Sequence, residues 1–291
     1  MPRVTLLANP AAGNGRGARV ALLAARRLRA RGAQVSIVVG SSAEQARQRT
    51  AAALQAGTDM LVVAGGDGMA HLATQLLATT DVPLAMVPAG TGNDFARALG
   101  VPRHDPVAAA DVALDGTARM IDLGRLDNGW FATVLTRGLD ARISERVNDM
   151  SWPPGWSRYT LALLCELTPL RATQFDLDLD GAHLTVSGLL VAVGNTPYYG
   201  SGMRICPDAR PDDGLLDVTV VEEAPMATLL RFFPRIYQGT HVHHPKVHTF
   251  RARRVHVTAP SSRAHADGEP LGTGTTRAEA IPAALRVMVP R

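Results

Sequence analysis

The chain has 291 residues, 46% of them hydrophobic and 19% charged, with a formal net charge of +4. That is long for one core, comfortable for two domains, and too apolar for a disordered chain. Aromatic residues amount to only 4%, too few for the stacking platforms of single-stranded nucleic acid, so no nucleic-acid partner is expected; the mild positive charge favours nucleotides or acidic lipid surfaces.

Nearly all the positive charge is arginine, and Lys246 is the only lysine. A mechanism needing a catalytic or phosphate-clamping lysine therefore has one candidate. Cys165 and Cys206 offer neither metal spacing nor a disulfide framework, which suits a reducing cytosol. The apolar run at 4–8 is too short for a secretory segment, and nothing reaches the about 20 apolar residues of a membrane span. A cytoplasmic location is expected, and any membrane is met from its surface.

In chain order, residues 4–8 read as a strand, 9–15 as a glycine-bearing loop, and a helix follows to about 30, with Val20, Leu22, Leu23 and Leu28 at its apolar positions. A second strand is expected at 34–39 and a second helix at 43–56. Residues 60–64 form a third strand, which stops at Gly65-Gly66-Asp67-Gly68 before a helix through Leu72 and Leu76. Strands at 83–87 and 120–126 bracket a helix at 107–114. Strand and helix alternating at this spacing indicate a doubly wound parallel sheet.

Ligands of such sheets lie beyond the carboxyl ends of the strands. Three glycine-bearing loops arrive there, at 9–17, at 65–68, and at Pro88-Ala89-Gly90-Thr91-Gly92-Asn93-Asp94. Strand, glycine turn and helix N-terminus together present backbone N–H groups to phosphate. Asp67 would repel a bare phosphate, so it makes sense when a metal ion or a substrate hydroxyl accompanies the ligand.

Beyond about residue 125 the pattern changes to short strands and hairpins: 130–135, 175–179, 189–195, 215–221, 255–258 and 285–289. Phe175, Leu177 and Leu179 alternate with aspartates up to the Asp180-Gly181 turn. Two stretches here carry chemistry. Asp208, Asp212, Asp213 and Asp217 surround a glycine turn and either hold a hard cation through oxygen or form an acidic surface loop. Ala264-His265-Ala266-Asp267-Gly268-Glu269 is a hairpin tip whose glutamate, read locally, is simply solvated. His241, His243, His244 and His248 lack an accompanying carboxylate or cysteine. Arg251, Arg253 and Arg254 read as a solvated edge. Trp152 and Trp156 precede an apolar helix at 159–167 and suit either a membrane interface or core anchoring.

Known nucleotide loops are excluded one by one. No Gly-Lys-Ser/Thr exists, because Lys246 follows Pro245, and no His-Arg-Asp loop is present. Gly13, Gly15 and Gly17 are spaced as GxGxG, and no acidic residue ends strand two for a ribose.

Asn9-Pro10 with its glycines, Gly65-Gly66-Asp67-Gly68 and Gly90-Thr91-Gly92-Asn93-Asp94-Phe95-Ala96-Arg97 resemble the catalytic motifs of the diacylglycerol kinase family. The similarity is to its soluble bacterial branch, related to sphingosine and ceramide kinases. It implies an α/β fold with an N-terminal 6-phosphofructokinase/NAD kinase-like sheet, followed by a mainly β, sandwich-like domain. The expected division is 1–124, nucleotide-binding and catalytic, and 125–291, β-rich and lipid-binding, with the option that the last strand packs back on the first domain. The resemblance places the active site in the cleft between them.

By position, the resemblance implies that Asn9, Gly65, Gly66, Asp67, Gly68, Met69, Gly90, Thr91, Gly92, Asn93 and Asp94 hold ATP, with Ser41 in place of a threonine after strand two. Asp94 could instead cap the helix that follows it. Glu269 corresponds to the general base, which takes the proton of the attacking lipid hydroxyl, and Asp67 bears on Mg²⁺–ATP or that hydroxyl. Asp213, with the carbonyls of Arg210 and Leu215, corresponds to a structural Mg²⁺ site. The sequence departs from the family at Met69, usually threonine, and at His71 and Leu72, usually Asn and Glu.

The implied function is an ATP- and Mg²⁺-dependent lipid kinase acting on a lipid hydroxyl, most of all that of diacylglycerol. It would work at the inner face of the membrane, with a homodimer left open as its assembly. Kinases for a sphingoid base, ceramide or phosphatidylglycerol, an NAD kinase, and a catalytically weak lipid- or nucleotide-binding regulator are the alternatives.

Overall fold

The computed structural model describes residues 1–138, 172–259 and 262–291; Trp152, Trp156, Cys165 and the expected helix at 159–167 lie outside these. The chain divides into two compact units, Met1–Leu123 with Pro282–Arg291, and Gly124–Ile281.

The first unit is built on β1 (Arg3–Ala8), β2 (Gln34–Val39), β3 (Met60–Gly65) and β4 (Leu84–Pro88). They pair in parallel in the order β4-β3-β1-β2. Leu6, Leu7, Val62, Val63, Leu84 and Val87 are all fully buried, as near-continuous apolar runs require when helices cover both faces of a parallel sheet. The helices are α1 (Ala12–Gly15), α2 (Gly17–Ala30), α3 (Ala43–Gln55), α4 (Asp67–Leu77), α5 (Asp94–Ala98) and α6 (Pro106–Asp115).

Local chemistry explains their ends. The Ser42 hydroxyl accepts the Gln45 N–H at 3.2 Å to open α3, and Asp105 accepts from Val107 and Ala108 to open α6, with Pro106 in its first turn. Arg27 of α2 holds Asp111 of α6 through two bonds of 2.7 and 2.9 Å. Strand order reverses direction between β1 and β3, so the topological switch point lies between the loops that follow those two strands. The fifth strand, β5 (Thr117–Leu126), ends in the second unit. In the first unit its buried Asp122 accepts the Ala283 N–H at 2.8 Å, and Val287 pairs with Leu84.

The second unit is built mainly of antiparallel strands: β6 (Gly129–Phe131), β7 (Val134–Gly138), β8 (Thr173–Leu179), β9 (Ala182–Gly194), β10 (Tyr198–Tyr199), β11 (Met203–Arg204), β12 (Leu216–Glu222), β13 (Val247–Ala252), β14 (Arg254–Thr258), β15 (Ala264–Ala266), β16 (Glu269–Gly272) and β17 (Thr275–Val289), the last of which runs on into the first unit from Pro282. The main path runs β16-β15-β7-β9-β8-β14-β17, with β12 joined to β9 and β13 joined to β12. Phe175 and Leu177 of β8 are buried while Asp176 and Asp178 face outward, the alternation of a half-buried strand. β9 separates its side chains between two clusters, Val191 and Val193 with Phe131 and Leu135 in one, Leu190 and Ala192 with Ile205 and Cys206 in the other.

Several elements differ from expectation. The strand expected at 130–135 is broken in two, because the N–H groups of Ala132 and Thr133 turn away to the carboxylate of Asp267. The last strand is far longer than 285–289, since Thr275 to Glu279 also pair with β14. A helix, α7 (Met226–Gln238), fills a stretch in which Pro234 argues against one. It ends at Gly239, whose left-handed φ of 73° closes the last turn. The arginines at 251, 253 and 254 are exposed, as expected of a solvated edge, and each also meets a carboxylate there, in Arg251–Asp213, Arg253–Glu279 and Arg254–Asp180.

Candidate active site

The three glycine-bearing loops of the first unit come together at the carboxyl ends of β1, β3 and β4. Asn9 N–H donates to the carbonyl of Ala64 at 3.2 Å, and Ala89 N–H to that of Gly65 at 2.9 Å. A Cβ on Gly90 would stand 2.6 Å from the Cα of Gly66, so these loops touch backbone to backbone, and any larger residue would part them. Gly13 has φ +58, and a Cβ there would collide with the carbonyl of Ala89. The first loop is thereby drawn against the third.

Within this frame Asp67 opens α4, and its Oδ1 accepts the N–H of Phe95 at 3.2 Å. The bond spans two loops and holds the carboxylate at the junction of two helix N-termini. Asn93 adopts a left-handed φ of 54° and closes the third loop on itself: its Oδ1 accepts the Gly90 N–H at 2.9 Å, and its Nδ2 donates to the Gly90 carbonyl at 2.8 Å. Asp94 is buried, with Arg97 3.6 Å away. Thr91 is exposed at the tip, and Gly92 is half-buried. Asn9 uses its Oδ1 to accept the N–H of Ala11 at 3.0 Å.

Met69 does more than occupy a threonine position. A Cβ on Gly65 would lie 2.7 Å from the Met69 Cβ and Cγ, so its side chain lies over the glycine that ends β3. Ser41 stands apart from this cluster in its bonding, since both its N–H and its hydroxyl donate to Gln45 Oε1, at 2.9 and 3.1 Å.

In the second unit, Asp267-Gly268 forms the two-residue tip between β15 and β16. Both tip residues have positive φ, 51° and 86°, as such hairpins require. Asp267 Oδ1 accepts the Thr133 N–H at 2.8 Å and the Thr133 hydroxyl at 2.6 Å, while Oδ2 accepts the Ala132 N–H at 3.0 Å. Asp267 thus anchors the tip, and Glu269, the next residue but one, is exposed beside it. Glu269 pairs with Ala266, and Ala266 with Leu135, so the three share one face of the sheet. Leu271, 42% exposed, follows Glu269 on the same edge strand. No local pattern points to Thr133 as the partner of Asp267, because the two are remote in sequence.

The acidic stretch is organised around Arg251. Its guanidinium bonds Asp213 Oδ2 and lies 3.6 Å from Asp217 Oδ2, while Asp213 Oδ1 accepts the Leu215 N–H at 3.1 Å. Asp217 is only 8% exposed, and its Oδ2 is buried with no hydrogen bond. Burial first, then the charges of Asp213 and Asp208 against the pull of Arg251, push its carboxyl up to about 6. An under-neutralised set of hard oxygens fits a hard cation, although among the described residues no three His, Cys, Asp or Glu side chains gather as a metal centre. The histidines are dispersed: His241 is buried and bonds the Ile205 carbonyl at 3.2 Å, whereas His248 bonds Glu222 at 2.6 Å. No described helix is long and apolar enough to cross a membrane.

Comparison with known proteins places both units. Residues 3–126 match the diacylglycerol kinase catalytic domain, and residues 133–289 match the YegS C-terminal NAD kinase beta sandwich-like domain. A diacylglycerol kinase of Mycobacterium tuberculosis is 46% identical, covering 99% of this chain and 96% of that protein. A YegS-like lipid kinase of Pseudomonas fluorescens is 35% identical over 90% of this chain and 88% of that protein. The fold is similar to the crystal structure of a diacylglycerol kinase from Bacillus anthracis, with a TM-score of 0.74 and 20% identity over 99% of this chain and 96% of that one. The chain belongs to the diacylglycerol kinase family of lipid kinases.

Proposed function

We propose that the protein transfers the γ-phosphoryl group of ATP to a lipid hydroxyl, with that of diacylglycerol as the acceptor and phosphatidic acid as the product. The observation that carries this reading is the backbone-to-backbone contact of Gly66 with Gly90 at the carboxyl ends of β3 and β4. It sets the N-termini of α4 and α5 side by side as one anion-binding surface. Asn9, Gly65, Gly66, Gly68, Gly90, Thr91, Gly92 and Asn93 would receive the phosphates, with Met69 shaping the loop through its contact with Gly65. Ser41, occupied with Gln45, contributes least.

Phosphoryl transfer asks little covalent chemistry of a protein; it asks for position, for charge compensation and for a base in line with the nucleophile. Glu269 is the candidate base. It takes the proton from the acceptor hydroxyl as the oxygen–phosphorus bond forms and the bond to the ADP oxygen breaks. Asp67, fixed by the Phe95 N–H, bears on the nucleotide's metal or on that hydroxyl, and buried Asp94 is a second acidic group on the same side. Mg²⁺ bound with ATP supplies neutralisation of the phosphate charge. A separate Mg²⁺ would be held by Asp213 with the carbonyls of Arg210 and Leu215, where its part is structural.

The first unit on this reading handles the donor and the second the acceptor. Peripheral contact with the inner face of the membrane follows from the acceptor's own location, with exposed Leu271 beside Glu269 suited to an apolar partner. The test is transfer of labelled γ-phosphate from ATP into diacylglycerol, monoacylglycerol, ceramide, sphingosine, phosphatidylglycerol and NAD. Label in diacylglycerol that is lost in Glu269→Gln, with nucleotide binding retained, is expected. Full activity of that variant overturns the assignment of the base, and label in NAD alone overturns the lipid acceptor.

A further inference from the structure

Arg137 of β7 is 0% exposed, and nothing in the sequence around it announces a buried charge. A guanidinium has five N–H donors, and here five contacts meet them. Nε donates to the Ser262 hydroxyl at 3.3 Å, Nη1 to the Val257 carbonyl and the Thr276 hydroxyl at 3.0 Å each, and Nη2 to the carbonyls of Ala259 and Ser262 at 3.3 and 2.9 Å. Every one of these acceptors is neutral.

Burial of a cation among neutral oxygens is costly, and burial alone pushes the Arg137 pKa down. An apolar side chain of similar size would avoid that cost but could not hold three backbone carbonyls. The geometry therefore points to a role in fixing backbone. The partners lie in β14, in the segment between β14 and β15, and in β17, whereas Arg137 itself belongs to β7, which is separated from β14 along the sheet by β9 and β8. The side chain crosses the interior and ties non-adjacent strands together. Its register partner on β15 is Ala264, small enough to let the guanidinium pass.

What the clamp holds is the approach to the hairpin tip. β15 has three residues and makes three pairs with β7, Ala264↔Arg137, His265↔Thr136 and Ala266↔Leu135. So short a strand is positioned by its ends. At one end Asp267 grips Ala132 and Thr133; at the other, Ser262, two residues before the strand, is gripped by Arg137. Arg137, Leu135, Ala266 and Glu269 follow one another on the same face.

We propose that Arg137 is a positioning residue for phosphoryl transfer, whose guanidinium fixes the entry into β15 and thereby the placement of the Glu269 carboxylate. This rests on Glu269 serving as the base. Small displacements of a reacting group are costly in rate, about 100-fold for about 1 Å, so the clamp shows in kcat and spares KM for ATP, which the first unit binds.

The experiment compares wild type, Arg137→Ala and Glu269→Gln with short-chain diacylglycerol and ATP, alongside unfolding curves. Arg137→Ala is expected to lose about 10- to 100-fold in kcat with KM for ATP unchanged, and added guanidinium or ethylguanidinium at concentrations below those that unfold the protein is expected to restore part of the loss. A folded Arg137→Ala with kcat within about twofold of wild type overturns the proposal, as does a loss that guanidinium leaves unrelieved while KM for ATP rises in parallel. Should Arg137→Ala not fold, Ser262→Ala and Thr276→Val, each deleting one acceptor hydroxyl, decide: a fall in kcat alone supports the clamp, and unchanged kcat in both overturns it. An active Glu269→Gln removes the underlying reading, whereas an inactive one beside a fully active Arg137→Ala overturns only the clamp.

Discussion

The carboxylate of Asp267 accepts both the amide N–H and the hydroxyl of Thr133, at 2.8 and 2.6 Å. One side chain thus ends a strand at one place in the chain and holds a hairpin tip from another. Removing the Thr133 hydroxyl leaves the amide bond and the fold intact but frees part of the carboxylate. Thr133→Val is expected to lower unfolding free energy by about 1.5–3 kcal/mol, the worth of a hydrogen bond to a charged group, measured by urea titration. Because the tip carries Glu269 next but one, kcat for lipid phosphorylation should fall with it. A variant as stable and as active as wild type would show that the hydroxyl adds nothing to the amide bonds in holding the tip.

Gly90 offers the sharpest steric test of the phosphate surface. A methyl at this position stands 2.6 Å from the Cα of Gly66 and 3.0 Å from Asn93 Oδ1, and neither neighbour is a flexible chain end. Gly90→Ala must separate the loops or break the Asn93–Gly90 bonds, at a cost of about 1–3 kcal/mol for overpacking. ATP affinity, followed by calorimetry, is expected to fall by about tenfold or more if the N–H groups of both loops converge on the phosphates. Unchanged ATP affinity in a folded Gly90→Ala would remove these loops from the nucleotide site.

Much of this was readable in the sequence because it is written locally. A buried strand followed by glycines and a helix start, as at Met60 to Asp67, needs no distant partner to be recognised, and the alternation of Phe175, Leu177 and Leu179 against aspartates displays its own period. What escaped depends on contacts between remote residues. The break in the strand at Ala132 and Thr133 exists because Asp267 takes their N–H groups. Arg137, between Thr136 and Gly138, gives no local sign of burial until its five acceptors are seen. The helix at Met226–Gln238 contains Pro234, and local propensity argues against the element that tertiary packing retains.

His241 links stability to pH. Burial foremost, with His243 adding to it against the opposing bond to the Ile205 carbonyl, lowers its pKa below the ordinary 6.5. At 1% exposure the ring is held neutral in the folded state. Between the lowered folded value and 6.5 the unfolded chain binds the extra proton, so stability rises with pH across that window and is lost as pH falls through it. His241→Gln keeps a donor for the Ile205 carbonyl and cannot titrate. Urea unfolding at pH 7.5 and 5.5 should therefore show a smaller acid-induced loss in the variant than in wild type; equal losses would assign the acid sensitivity to other groups.

On the proposed reading, a divalent cation at Asp213 would compete with Arg251 for the same carboxylate. The guanidinium bonds Asp213 Oδ2 and approaches Asp217, whose buried Oδ2 has no hydrogen bond. A hard cation on Asp213 must displace that contact, so part of the binding energy goes into releasing the arginine. Magnesium at about ten times its dissociation constant should stabilise the fold by about 1.4 kcal/mol, read as a rise in Tm. Asp213→Asn is expected to abolish the rise. Arg251→Gln should enlarge it at a given magnesium concentration, since the competitor is gone and the charge on Asp217 is left for the metal to balance. A Tm that ignores magnesium in Arg251→Gln would show that the acidic stretch is a surface loop closed by an ion pair and nothing more.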